Sequence, residues 1–197
     1  MQPVYRAPTI ARVVVPKSAI TTAILMVGFA LFTALAAQIV IPIPGSPVPI
    51  TGQTFAVLLA GAALGANAGA GSQLIYWAMG AAGLPFYNNA TGGWEAATGA
   101  TAGYLVGFIV AAWVVGYLAE RGKDRTIDSA LPAFLAGSTI IYVFGVTWLL
   151  VSVASISTLS QALTIGFFPF VIGDAVKILA AALLLPAAWK IVDRLRD

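Results

Sequence analysis

The chain has 197 residues, of which 60% are hydrophobic and only 9% charged, with a net charge of +3 and neither Cys nor His. An ordinary soluble domain carries about 25% charged residues, so this chain has too little polar material to cover a water-facing surface, and its expected solvent is lipid. Disulfides, thiol chemistry and His-based catalysis or metal ligation are excluded, and a small positive charge on such a chain reads as cations flanking membrane spans rather than as a nucleic-acid surface.

The hydrocarbon core of a bilayer is about 30 Å thick, so a crossing helix needs roughly 20 apolar residues. Spans are predicted at about 19–41, 52–65, 67–83, 100–119, 132–153 and 167–190, which makes a single all-α integral membrane domain of about six transmembrane helices. The first stretch is too long for a signal peptide, and no clear small-residue cleavage site follows it. IPIPGSPVP (41–49) holds four prolines and must be a loop. The apolar stretch 54–83 is ambiguous: it is one tilted helix or a hairpin of two short ones.

Charge decides between them. Nine of the ten Lys and Arg lie outside the spans: Arg6, Arg12 and Lys17, then Arg121, Lys123 and Arg125, then Lys190, Arg194 and Arg196. If 54–83 crosses twice, turning near Gly65, Ala66 and Asn67, all nine fall on one side. The positive-inside rule then favours six spans in a cell membrane, with both termini cytoplasmic. Small residues recur every four positions in Gly61, Gly65 and Gly69, in Gly99, Gly103 and Gly107, and in Ala30 and Ala34. That spacing lets helix backbones approach closely, either inside the bundle or against a separate membrane subunit.

The tenth cation is Lys177, inside the last span, with Asp174 three residues before it. Positions i and i+3 share a helix face, and one charge at mid-bilayer costs about 2.5–3.5 kcal/mol on insertion scales. Either the two merely neutralise each other, or they are a polar anchor for a ligand. Two other polar groups fall on the same side of the membrane in the six-span topology: PITGQT (49–54), with Gln53 and Thr54, and the 84–98 loop, with Tyr87, Asn88, Asn89, Trp94 and Glu95. Their convergence with Asp174 and Lys177 marks a candidate ligand site. Trp94 and Tyr87 are also readable as interface aromatics. The seven acids (Glu95, Glu120, Asp124, Asp128, Asp174, Asp193 and Asp197) are scattered, so no carboxylate metal site is expected. No Walker A sequence is present to hold ATP.

PVPITGQTFAVLLAGAALG (47–65), GLPFYNN (83–89), GATAGYLVGF (99–108) and GDAVK (173–177), in that order, resemble the BioY family of biotin-specific S components of energy-coupling factor (ECF) transporters. The resemblance runs from about residue 19 to 186. It implies high-affinity capture of biotin near the outer face of a bacterial inner membrane. Asp174, Lys177, Gln53, Thr54, Asn88, Trp94 and Tyr104 would bind the ligand. It also implies a transmembrane T subunit and ABC-type ATPase subunits as partners, with Ala30 and Ala34 contacting the T subunit. Two segments depart from the family pattern: Asn88 to Thr91 replaces a glycine-rich stretch, and GATAGY (99–104) stands where the family reads GPTGGY. No cofactor is implied beyond biotin as the transported ligand. Another small vitamin, a membrane enzyme and a scaffold are the competing readings, and the absence of a nucleophile–base pair disfavours the enzyme.

Overall fold

The computed structural model describes residues 7–194, so Arg6, Arg196 and Asp197 from the charge inventory lie outside it. The described chain folds into helices α1 (Ile10–Val14), α2 (Ala19–Ala37), α3 (Gln53–Leu64), α4 (Ala66–Ala81), α5 (Trp94–Thr98), α6 (Ala102–Ala119), α7 (Ile127–Ser152), α8 (Leu159–Gly166) and α9 (Val171–Arg194). A two-stranded hairpin joins β1 (Val40–Ile41) to β2 (Ile50–Thr51), pairing Val40 with Thr51 and Ile41 with Ile50. The bundle is α2, α3, α4, α6, α7 and α9. Helices α1, α5 and α8 lie in the connections.

Four stretches, Ala19–Ala37, Ala102–Ala119, Ile127–Ser152 and Leu159–Arg194, are long and apolar enough to cross a membrane. The remaining two bundle helices form the hairpin at 54–83. Gly65 ends α3 and begins α4 with φ at +87°, a left-handed conformation that favours glycine. Helix α3 has 12 residues and α4 has 16, so at 1.5 Å per residue they are about 18 and 24 Å long. Neither spans 30 Å by itself. Helix α3 is buried along most of its length, from Ala56 through Ala62, so neighbouring helices rather than lipid surround it. A Cβ on Gly69 would press on the Gly61 backbone, and one on Gly116 of α6 would land in the backbone of Gly65 and Ala66. The Gly61–Gly65–Gly69 row therefore packs inside the bundle, as do Gly103 and Gly107 against α7.

Ala30 and Ala34, expected to contact a partner subunit, lie inward in the isolated chain. Ala30 is 0% and Ala34 7% exposed, and both belong to the core. Beside them Thr33 Oγ1 accepts from Gln73 Nε2 of α4 at 3.2 Å, so this face of α2 is a seam inside the bundle. The outward face of α2 carries Ile20, Ile24, Leu31 and Leu35.

Two ends of the bundle are distinct. At one end Arg125 donates to Pro8 O (2.7 Å), Glu120 accepts from the Ala66 N–H (3.3 Å), and Trp189 Nε1 donates to Asp124 Oδ2 (2.6 Å). Burial raises the pKa of the Asp124 carboxyl; the Trp189 bond and the neighbouring Arg125 oppose it. Every described Lys and Arg except Lys177 belongs to this end by its place in the chain: α1 and its connection to α2, the 120–126 turn, or the last turns of α9. At the other end the proline loop meets α8 through Ser46 Oγ and Ile165 O (3.1 Å), and Trp148 Nε1 donates to Gly99 O (2.9 Å).

Several boundaries differ from expectation. Helix α2 stops at Ala37 because Ile39 to Ile41 are β-branched and Pro42 follows, which disfavours the helical region at residue 41. Helix α7 begins at Ile127, upstream of Pro132, so the proline forfeits one ladder bond near the helix start. The 153–166 connection contains α8, nucleated by a capping box between Thr158 and Gln161.

Candidate ligand-binding site

The end without the cation cluster contains a pocket. Its polar lining is Thr51, Gln53, Thr54, Asn88, Thr101, Asp174 and Lys177, and its apolar walls are Val48, Leu105, Phe108, Ile141 and Phe170 with the rings of Tyr87, Tyr104 and Tyr142. Its cavity volume is about 50 Å³, below the usual range for small-molecule sites.

Several of these side chains are delivered by helix starts. The backbone N–H of Gly52 donates to Ala36 O at 3.0 Å, and a side chain there would collide with that carbonyl. This docks β2 on the end of α2 and aims Gln53 and Thr54 inward from the start of α3. Asp174 lies in the first turn of α9, where the helix dipole favours a carboxylate. Tyr104 lies near the start of α6, its ring held against Gly145 and its hydroxyl donating to Gly166 O at 2.7 Å.

Four side chains form the polar centre. Asp174 Oδ1 accepts from Lys177 Nζ (2.7 Å) and from Thr54 Oγ1 (3.1 Å), and Lys177 Nζ also donates to Thr54 Oγ1 (3.2 Å). Asp174 Oδ2 accepts from the Tyr142 hydroxyl at 2.5 Å. Asp174 is 4% exposed, whereas the Lys177 side chain keeps 18%. An ammonium has three donors and a carboxylate about four acceptor positions. These bonds therefore leave one donor on Lys177 and one acceptor position on Asp174 for a ligand. Thr51 Oγ1 donates to Gln53 Oε1 (2.7 Å), and Gln53 Nε2 donates to the Tyr76 hydroxyl (2.5 Å), so Gln53 is held rather than free. Among the described residues, the Asn88 amide and the Thr101 hydroxyl at the pocket carry no protein hydrogen bond. Tyr87 closes one side. Its hydroxyl donates to Trp77 O at 2.7 Å, and burial pushes its pKa up to about 12, so it stays a neutral donor.

The structure thus brings together Asp174, Lys177, Gln53, Thr54, Asn88 and Tyr104. It does not bring in Trp94, which starts α5, is 65% exposed, and meets Trp77 edge-on at 6.1 Å. Sequence reasoning missed Tyr142 and Thr101. The available signal for Tyr142 was a row at helical spacing, Ser138, Ile141, Tyr142 and Gly145, all buried on one face of α7. Among the described residues no group of three or more Asp and Glu is placed to hold a metal ion.

What can this arrangement do? It offers an apolar slot with a charged donor and a charged acceptor at one end and a free amide at its mouth. Comparison with known proteins gives a consistent set. Residues 10–194 match the family described as the BioY family. The chain is 40% identical over 168 residues to the biotin transporter BioY of Thermotoga maritima, covering 85% of this chain and 90% of that one. It is 40% identical over 145 residues to the biotin transporter BioY of Rhizobium etli, covering 70% and 76%. A crystal structure of the S-component for biotin from an ECF-type ABC transporter shares the fold with a TM-score of 0.78 at 23% identity, covering 87% of this chain and 92% of that one.

Proposed function

The chain belongs to the BioY family, and from that premise we propose that it captures biotin for uptake across a cell membrane as the substrate-specific subunit of an ECF-type transporter. The observation that carries this is the Asp174–Lys177 pair, which faces an apolar pocket with one donor and one acceptor position unused. Biotin presents ureido N–H donors beside a carbonyl, an apolar thioether ring and a carboxylate tail. Asp174 accepts from a ureido N–H or Lys177 donates to a carbonyl or carboxylate oxygen, and Phe108, Phe170 and the tyrosine rings cover the apolar part. A charge-assisted bond in such a site is about twice as strong as a neutral one. Titration calorimetry in detergent is expected to show saturable biotin binding and none of thiamine or riboflavin. Tighter binding of thiamine would overturn the ligand.

The function is transport, not catalysis, and the chain works with a membrane-embedded T subunit and ABC-type ATPases. Since Ala30 and Ala34 are closed inside the bundle, a contact through them requires α2 to part from α4; otherwise the outward face of α2 serves. The cation-rich end is cytoplasmic and the pocket end faces outward. Lys123→Cys and Asn89→Cys, each in an otherwise cysteine-free chain, are expected to react with an impermeant thiol reagent from opposite sides of the membrane. Labelling of both from outside would reject this orientation.

A further inference from the structure

The pocket wall at residues 87–91 is a turn in an unfavourable conformation. Tyr87 N donates to Thr91 O at 3.0 Å and Thr91 N to Asn88 O at 3.3 Å, with Asn89 and Ala90 between them at φ of +56° and +53°. Two successive positive φ values at the centre of a four-residue turn are the type I′ pattern, which wants Asn or Gly. Asn89 suits it. Ala90 does not, because its Cβ crowds the backbone there. Something must hold the turn.

The holder is Gln38, at the end of α2. Its Nε2 donates to Ala34 O (2.9 Å) and to Tyr87 O (3.0 Å), and its Oε1 accepts from the Ala90 N–H (2.9 Å). Both sides of the amide are used, and reversing it would set oxygen against two carbonyls, so one orientation is fixed. Tyr87 and the Gly93 N–H, which donates to Gly80 O at 2.8 Å, tie the same loop to α4. The Gln38 bonds tie it to α2 and are the ones that reach Ala90 itself.

We propose that Gln38 is a positioning residue for the ligand, clamping the strained 87–91 turn to α2 so that Asn88 and Tyr87 stay over the pocket. This rests on the proposed ligand site but acts through a residue outside its lining. Without the clamp, Ala90 leaves the left-handed region, and the unpartnered Asn88 amide loses its place at the mouth.

The test uses the full chain in detergent as parent, Gln38→Ala, Ala90→Gly and the double variant. Amide hydrogen exchange across 87–93 is read without ligand, and biotin dissociation is timed separately. Gln38→Ala is expected to speed exchange at Ala90 and Thr91, and biotin release, each by about tenfold, the scale of one or two neutral hydrogen bonds. Glycine carries no penalty at positive φ, so Ala90→Gly in the Gln38→Ala background is expected to bring release back to within about threefold of the parent. Unchanged exchange or unchanged release in Gln38→Ala overturns the proposal. So does a loss that Ala90→Gly leaves unrepaired, which would mark Gln38 as a general stabiliser. If the parent binds no biotin the ligand assignment fails, and the exchange comparison still decides whether Gln38 holds the turn.

Discussion

Lys177→Ala and Asp174→Ala are each expected to lower biotin affinity by roughly 10- to 150-fold, the range for losing a hydrogen bond to a charged group. The geometry distinguishes this from a pair that only neutralises itself. Were neutralisation the whole role, removing one partner would strand the other charge and destabilise the bundle, while a double apolar replacement would be close to neutral in every assay. With ligand binding as the role, Asp174→Leu combined with Lys177→Leu stays folded and does not bind. Asp174→Asn is the informative intermediate. Its oxygen can take the place of Oδ1 before Lys177 and Thr54, and its amide can donate to the Tyr142 hydroxyl, which turns to accept. The hydrogen-bond frame then survives while the charge does not, so Asn is expected to lose less affinity than Ala. Calorimetry measures affinity and thermal unfolding in detergent measures the fold. A double apolar variant that binds biotin like the parent would refute the assignment.

The part of this site legible in the sequence was the part that violates the chain's own composition. A Lys and an Asp three residues apart inside an apolar span are conspicuous in a chain with 9% charged residues, and Gln53 and Thr54 stand out at a loop-to-span boundary. Tyr142 carries no such contrast. It is one of six tyrosines among ten phenylalanines and five tryptophans, and nothing in composition separates a buried anchor from an interface aromatic. Its role follows only from the turn of α7 that sets it 2.5 Å from Asp174. Trp94 lies outside the pocket, and for the converse reason: a loop tryptophan beside a predicted site is as easily a surface ring, and here it packs on Trp77. The helix count was legible through charge placement, which speaks to sidedness. The helix ends were less so: β1 and β2 pair across the proline loop, which no local pattern encodes, whereas α8 carried a local signal, the Thr158–Gln161 capping box, that sequence reasoning passed over.

The Gly116→Val variant is expected to yield little or no folded, monodisperse protein. The argument starts from the short hairpin. Helices α3 and α4 reverse direction through Gly65 alone, at the cation-rich end beside Glu120 and Thr9, so neighbouring elements must hold the turn. Helix α6 covers it by laying Gly116 directly on the backbone of Gly65 and Ala66. A Cβ at Gly116 would meet backbone atoms of both residues, and backbone in a turn this tight has no rotamer through which to yield. Overpacking a core usually costs about 1–3 kcal/mol and occasionally more; the rigid obstacle places this case at or above the upper end. The displacement would also carry Ala66 away from Glu120 Oε1, uncovering the first N–H of α4 where water is scarce. Gly28→Val on the outward side of α2 is the control, since nothing lies within 4 Å of its Cβ position. It adds a β-branched residue to a lipid-facing helix and is expected to leave size-exclusion behaviour, thermal midpoint and biotin binding near parent values. A Gly116→Val protein that elutes and unfolds like the parent would show that α6 does not lean on the hairpin turn as the geometry indicates.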